Sequence, residues 1–344
     1  MKPMRSLLRV AVLLAAALPF GVLAGCADEA DVVIYVALDR NHSEPILDAF
    51  EAETGLKVEA YYDSEANKSI GLRRRLQEES DRPICDVWWN NEVVQTVLLA
   101  REGLLQPYVS PGATGVPDHL KDPDGLWTGF AARARVLIVN TDLRPDATKR
   151  AWSTKDFLDP ANSNRCGMAR PLTGTTAAHA GVWIAQMGLN DTFGLLKRMR
   201  DNKVHFGPGN AHLMRLVRAG ELDFGWTDTD DYQVAADGGF PVAMLLPDQG
   251  PGDPGLIVIP NTVSLVKDAP HADAGQRLID YLLSTAVEER LARGPSAQIP
   301  VHPDVPRPEH VLDLTALKVA EVDWHAAGTA YQQNADALEA FFTN

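Results

Sequence analysis

From residue 31 onward, short apolar runs alternate with stretches whose apolar positions recur at helical spacing. Residues 32–37, Val-Val-Ile-Tyr-Val-Ala, predict a strand. Ser43-Glu44-Pro45 reads as a capping serine followed by a proline in the first helical turn, where its missing N–H does no harm. Ile46, Leu47 and Phe50 then share a helical face, and Gly55 supplies the C-terminal cap. Leu56, Val58 and Ala60 alternate with polar residues as in a half-buried strand. Residues 70–78 read as a helix, 86–89 as a strand, and 93–101 as a helix closed by Gly103. This β-α-β-α-β-α opening predicts a parallel sheet wrapped by helices.

The same grammar recurs further on. Strands are predicted at 136–139, 167–171, 222–226, 242–246, 256–259 and 263–266. Helices are predicted at 175–187, 193–200, 210–219 and 273–283, with another ending near 292. The Pro/Gly-rich stretch 247–254 is the clearest internal linker. Together with 126–133 it gives two candidate crossings between two α/β lobes, the architecture of a hinge with a cleft between the lobes. The expected division is residues 31–130 plus 255–302 for one lobe and 131–254 plus 303–344 for the other.

The opening of the chain follows a different rule. Lys2, Arg5 and Arg9 precede an unbroken apolar run from residue 10 to 20, and Leu23-Ala24-Gly25-Cys26 follows. The run is shorter than the ~20 residues a membrane-spanning helix needs, and it reads as the core of an export signal. Its ending resembles a bacterial lipobox, so cleavage is expected after residue 25 and lipidation on Cys26. Residues 26–30 then form an acidic linker. Export permits disulfides. However, Cys85 and Cys166 sit beside strands of different lobes and are expected to be buried free thiols.

Charge narrows the partners. The 344 residues carry 32 basic and 46 acidic side chains, a net −14. The first 25 residues hold three cations and no anion, so 29 basic and 46 acidic groups remain without them, a net −17. Nucleic acid and anionic lipid surfaces require clustered cations and are excluded as main partners. No Gly-Lys-Ser/Thr motif appears, so the chain is not expected to hydrolyse nucleotide.

In open α/β sheets ligands bind beyond the carboxyl ends of the strands. The residues that follow the predicted strands are His42, then Asn90-Asn91-Glu92, Thr173-Gly174-Thr175-Thr176, and Asp228-Thr229-Asp230-Asp231-Tyr232. One imidazole and several carboxylates meeting in one cleft would suit a metal cation. Each group also has a plainer use. His42 alone fits a surface or capping residue, Glu92 a stabiliser of a helix N-terminus, and 228–231 an N-cap with acids in the first turn. Thr173 to Thr176 fit either a cap or an anion site.

Several stretches, in order, resemble the periplasmic ferric-binding proteins, the substrate-binding components of iron-importing ABC transporters. They include Asp31-Val-Val-Ile-Tyr-Val, His42, Phe50-Glu-Ala-Glu-Thr-Gly-Leu-Lys-Val and Asp86-Val-Trp-Trp-Asn-Asn-Glu. Gly103-Leu-Leu-Gln-Pro, Arg133-Ala-Arg-Val-Leu-Ile-Val-Asn-Thr, Gly220-Glu-Leu-Asp and Ile299-Pro-Val-His-Pro continue the series. The resemblance spans most of residues 31–303 and implies a two-lobed α/β periplasmic-binding-protein fold with a hinge and an interlobe cleft. It implies iron (Fe3+ or Fe2+) as cargo with a possible synergistic anion, no organic cofactor, and no catalysis. It further implies an ABC permease with a separate ATPase as partners, a monomer, and a place in the periplasm or at the cell surface. Carried over by position, the metal-binding histidine falls on His42 and the glutamate on Glu92. The anion contacts fall near Thr173, on Asn210 and on Asp228, with Arg133 as the basic contact; Thr175 belongs to the same turn. The family's adjacent pair of metal-binding tyrosines falls on Asp230 and Asp231, a departure that exchanges phenolates for weaker and less selective hard donors. Tyr232, one place on, could supply one phenolate.

Two other cargoes fit the same fold: an organic cation of polyamine type, paired by the aspartates, or a phosphate-bearing molecule held by Arg133, Thr173 and Asn210. An exported metal-dependent hydrolase using His42, Glu92 and Asp230 lacks any catalytic spacing such as His-Glu-x-x-His or Gly-x-Ser-x-Gly.

Overall fold

The structure is a computed structural model that describes residues 30–63 and 69–343. The expected export signal and Cys26 lie outside the described residues. The opening follows the pattern read from the sequence: β1 (Val32–Val36), α1 (Arg40–Thr54), β2 (Val58–Tyr62), α2 (Ile70–Glu78), β3 (Val87–Asn90) and α3 (Val94–Arg101). β1 lies between β2 and β3, parallel to both. Every β1 residue is buried, as expected of a parallel strand covered on both faces.

After β4 (Leu105–Gln106) comes β5 (Thr128–Asn140), a strand of 13 residues with no exposed position. It is followed by β6 (Cys166–Ala169), α4 (Gly174–Met187), α5 (Leu189–Asp201), β7 (His205–Gly207), α6 (Asn210–Arg218), β8 (Phe224–Asp228), α7 (Thr229–Asp237) and β9 (Val242–Leu245). The chain then returns through β10 (Val258–Val266) and ends in α8 (Ala272–Leu282), α9 (Thr285–Arg293) and α10 (Trp324–Thr343). The strand order is β2-β1-β3-β10-β5-β8-β6-β7, with β4 also paired to β10 and β9 to β5.

β5 joins the two halves of the sheet. Its first part pairs antiparallel with β10, from Thr128↔Val263 to Ala134↔Val258. Its second part pairs antiparallel with β8, from Arg135↔Asp228 to Val139↔Phe224. Residues 128–133 are therefore strand, not a connecting loop. The β5–β10 register shifts between Ile259 and Asn261, and Ala131 opposite takes a left-handed φ of 41°. Buried Glu288 accepts the Ala131 amide (2.6 Å), and the Asn261 amide nitrogen donates to the carbonyls of Phe130 and Ala131, which satisfies the bulged backbone.

Three local expectations change. α1 begins at Arg40 with Asp39 as N-cap, so Ser43 and Pro45 lie inside the helix. The Ser43 hydroxyl donates to the carbonyls of Leu38 and Asp39, and Pro45 removes one donor early in the helix. The runs at 256–259 and 263–266 belong largely to one strand, β10, because the bulge absorbs Pro260 without ending the pairing. α10 was not foreseen. It packs on both α3 and α4 through small residues: a Cβ on Gly181 would lie 2.6 Å from the Ala327 carbonyl oxygen, and one on Gly328 would lie 2.9 Å from Val97 Cγ1. The Tyr331 hydroxyl also donates to the Leu172 carbonyl (2.7 Å). Cys85 and Cys166 are buried free thiols, as expected, and burial pushes the Cys166 thiol up to about 12. Among the described residues no helix is long and apolar enough to cross a membrane.

The α4–α10 contact leaves no room for a methyl group. Gly181→Ala is expected to lower stability by about 1–3 kcal/mol. Gly194→Ala in α5, where a Cβ meets nothing within 4 Å, should be neutral or stabilising by up to ~1 kcal/mol. Urea denaturation of the two variants compares them, and equal midpoints would mean that α10 is not closely seated.

Candidate functional site

The loops beyond the carboxyl ends of the strands meet around a small cleft of about 70 Å³. The turn after β1 contributes Leu38 and Asp39, the turn after β3 contributes Asn91, and the middle of β5 contributes Arg133. Thr173 to Thr176 follow β6, 208–211 lead into α6, and Asp228, Asp230 and Asp231 follow β8.

Three helices start at this cleft. α4 is entered through Thr173 and Gly174, the latter at φ 58°. α6 is entered through Gly209 and α7 through Asp228, and none of the three N-cap residues caps its own helix with a side chain. Their first amides and helix dipoles therefore bias the cleft toward oxygen anions.

Asp228, 3% exposed, is the best-held carboxylate. Its Oδ1 accepts from Arg135 Nη1 (2.6 Å), and its Oδ2 accepts from Thr175 Oγ1 (2.5 Å) and Asn210 Nδ2 (2.9 Å). Asn210 Oδ1 in turn accepts from Thr176 Oγ1 (3.0 Å). Arg135 is fully buried, and its Nε donates to His179 Nδ1 (3.4 Å). Asp230 faces Arg133 more loosely, with Nη1 to Oδ2 at 3.5 Å. Burial raises the Asp230 pKa, and Asp228 and Asp39 add to the effect while Arg133 opposes it. Asp231 Oδ2 accepts from Thr227 Oγ1 (3.0 Å). One carboxylate oxygen from each of Asp228, Asp230 and Asp231 lies within 4.8 Å of the others, close enough to share one cation.

The remaining candidates lie outside this cluster. His42 is partly exposed in the first turn of α1, its Nε2 beside Asn41 Nδ2 (3.5 Å). The Glu92 carboxylate, 1% exposed, accepts from Asn90 Nδ2 (2.9 Å) and from the amides of Val94 and Gln95. It thus holds the start of α3, and burial raises its pKa. Tyr232 packs beside the Leu213–Val217 core cluster. Asp39 and Arg135 were missed by sequence reasoning. Asp39 lies two places beyond the first predicted strand and satisfies the same strand-end rule. Arg135 carries no comparable signal, because its role depends on which strand pairs with β5.

The family model for the bacterial extracellular solute-binding proteins matches residues 46–319. The chain belongs to that family. This solute-binding protein is 23% identical over 310 residues to iron uptake protein A1 of Synechocystis, covering 85% of this chain and 81% of that protein. The structure is similar to that of iron-bound HitA from Pseudomonas aeruginosa, at a TM-score of 0.80 and 22% identity over 90% of this chain and 98% of HitA. It is also similar to the periplasmic binding protein AfuA from Actinobacillus pleuropneumoniae with fructose-6-phosphate bound, at a TM-score of 0.77 and 20% identity over 90% and 98% of the two chains. The fold is the two-lobed one of periplasmic binding proteins.

A buried ion pair loses most when one partner is removed alone. Arg135→Leu and Asp228→Leu are each expected to lower stability by about 3–5 kcal/mol. The double variant should lose clearly less than the sum, read from urea unfolding as a double-mutant cycle. Strictly additive losses would show that the pair does not organise the site.

Proposed function

We propose that this protein is the substrate-binding component of an ABC importer and captures a metal cation, iron first among the candidates, in the cleft between its lobes. The observation that carries this reading is the cluster of Asp228, Asp230 and Asp231 at the start of α7. Asp230 and Asp231 would be the ligands, because Asp228 is already held by Arg135, Thr175 and Asn210. Relatives named for iron uptake and an iron-bound structural neighbour support iron. A small synergistic anion would occupy the amides that open α4 and α6, beside Arg133. His42, in the first turn of α1, would join as the lobes close, whereas Glu92 reaches an ion only by releasing the α3 amides. Closure follows from differential affinity: the ion bridges groups from both lobes and favours the form in which they meet.

In this reading residues 31–130 with 255–302 form one lobe and 131–254 with 303–344 the other. Cys26 carries a lipid that tethers a monomer at the cell envelope, and a permease with a separate ATPase takes up the cargo. The protein itself catalyses nothing. A second reading rests on the uncapped N-termini of α4 and α6 beside Arg133 and on the phosphate ester in AfuA. The same cleft would then hold a phosphate-bearing compound, with the aspartates pairing any amine it carries.

Native mass spectrometry with elemental analysis of protein purified without added metal separates the two readings. We expect one iron per chain, lost in the Asp230→Ala, Asp231→Ala double variant; an organic phosphate retained by that variant would establish the second reading. A carboxylate-held ferric ion should be faintly coloured, and an intense visible band would place the Tyr232 phenolate on the metal. The raised Asp230 pKa fixes the sign of the pH effect. The ligating form is the anion, so affinity should fall on acidification and begin to fall above the ordinary carboxylate range. Between pH 7 and about 5, titration with ferric citrate should show a loss of roughly tenfold or more; constant affinity would remove Asp230 from the ligand set.

A further inference from the structure

A larger cavity, about 900 Å³, lies behind the cleft between α4, α5 and residues 247–257. Its size is that of pockets which enclose small organic ligands. Its walls are largely apolar, with Trp183, Met187, Leu195 and Ile257 among them, and His179 and Trp226 also line it. The two rings face each other edge to face, with centroids 4.9 Å apart.

The polar groups among these rings are donors. The indole N–H of Trp226, in a residue only 2% exposed, has no acceptor among the described residues. His179 Nδ1 accepts from Arg135 Nε, which places the imidazole proton on Nε2. The ring is held neutral, because burial and the Arg135 charge both push its pKa far below the ordinary value.

The charges of the rim are unevenly committed. Asp248 accepts from the amide and hydroxyl of Thr154 (3.0 and 2.8 Å), and Asp253 accepts from the Gly250 amide (3.2 Å). Asp191 lies in the first turn of α5, where it complements the helix N-terminus. Lys197 pairs with Asp201 (2.7 Å). Lys155 and Arg198 line the cavity and are in no ion pair among the described residues. Asp248 and Asp253 are thus engaged by backbone and hydroxyl donors, with the Lys155 charge also acting on Asp248, while Lys155 and Arg198 bring two cations to the mouth.

We propose that this cavity is a second ligand site, separate from the cleft, for a flat apolar anion of the aromatic carboxylate or sulfonate class. The ring would lie against Trp183, and the negative charge would stay at the mouth beside Lys155 and Arg198. The proposal does not depend on what the cleft carries.

The probe is 1-anilinonaphthalene-8-sulfonate titrated into the full folded chain, read by its own fluorescence and by energy transfer from tryptophan. Saturable one-to-one binding is expected, at least about tenfold tighter than that of the uncharged N-phenyl-1-naphthylamine. Gly194 lines the cavity and a Cβ there meets nothing within 4 Å, so Gly194→Phe should fill the space and weaken binding at least about tenfold with the near-ultraviolet circular dichroism unchanged. Met187→Glu, at a wall position 38% exposed, offers the same test by charge repulsion should the phenylalanine variant fold poorly. The Lys155→Ala, Arg198→Ala double variant should lose affinity for the sulfonate and keep it for the neutral probe. Non-saturable binding, equal affinity for the two probes, or binding unmoved by both wall variants would overturn the proposal.

Discussion

The site depends on one buried ion pair. Arg135 has no exposed surface and Asp228 almost none, so both charges have left water, a loss that their attraction offsets only when the remaining lone pairs and protons are also satisfied. Here Thr175 and Asn210 complete the Asp228 carboxylate and His179 takes the Arg135 Nε proton, while Arg135 Nη2 has no partner among the described residues. The pair sits at adjacent positions of β5 and β8, and its partners come from α4 and α6. The pair and its partners therefore tie the starts of three helices to one strand.

That arrangement determines what the cleft can hold. Arg133 and Arg135 lie two residues apart on β5, and each faces a different aspartate. The tight pair behind neutralises Asp228, whereas the pair of Arg133 and Asp230 in front is looser, at 3.5 Å. Asp231 and Asp39 add negative charge at the mouth, while the helix starts offer amides on the other side. Under the proposed function, a cation accompanied by a small anion would meet both fields at once.

Much of this was legible in the sequence because it rests on short-range patterns. Buried parallel strands read as apolar runs, Gly55 and Gly103 mark helix ends with left-handed φ, and the strand-end rule gathered Thr173 to Thr176, Asn91 and Asp228 to Asp231. What stayed hidden required knowledge of partners. β5 looked like a linker leading into a strand, because its first half is defined by pairing with residues more than 120 positions away. α10 is poor in charge and rich in alanine, a composition that makes sense only against the small faces of α3 and α4. For Glu92 the helix-terminus use was one of two open readings, and the geometry realises it. For His42 the sequence gives residue type and place but not the extent of lobe closure.

The insertion of β10 between β3 and β5 also governs how the protein can assemble. β10 is distant in sequence from both of its neighbours, β3 and β5, so the first half remains incomplete until residue 266 has been made. Such distant pairings are slow to nucleate, because a long loop must close before any contact rewards it. A chain that cannot finish its earliest layer from local pieces stays thread-like for longer after synthesis.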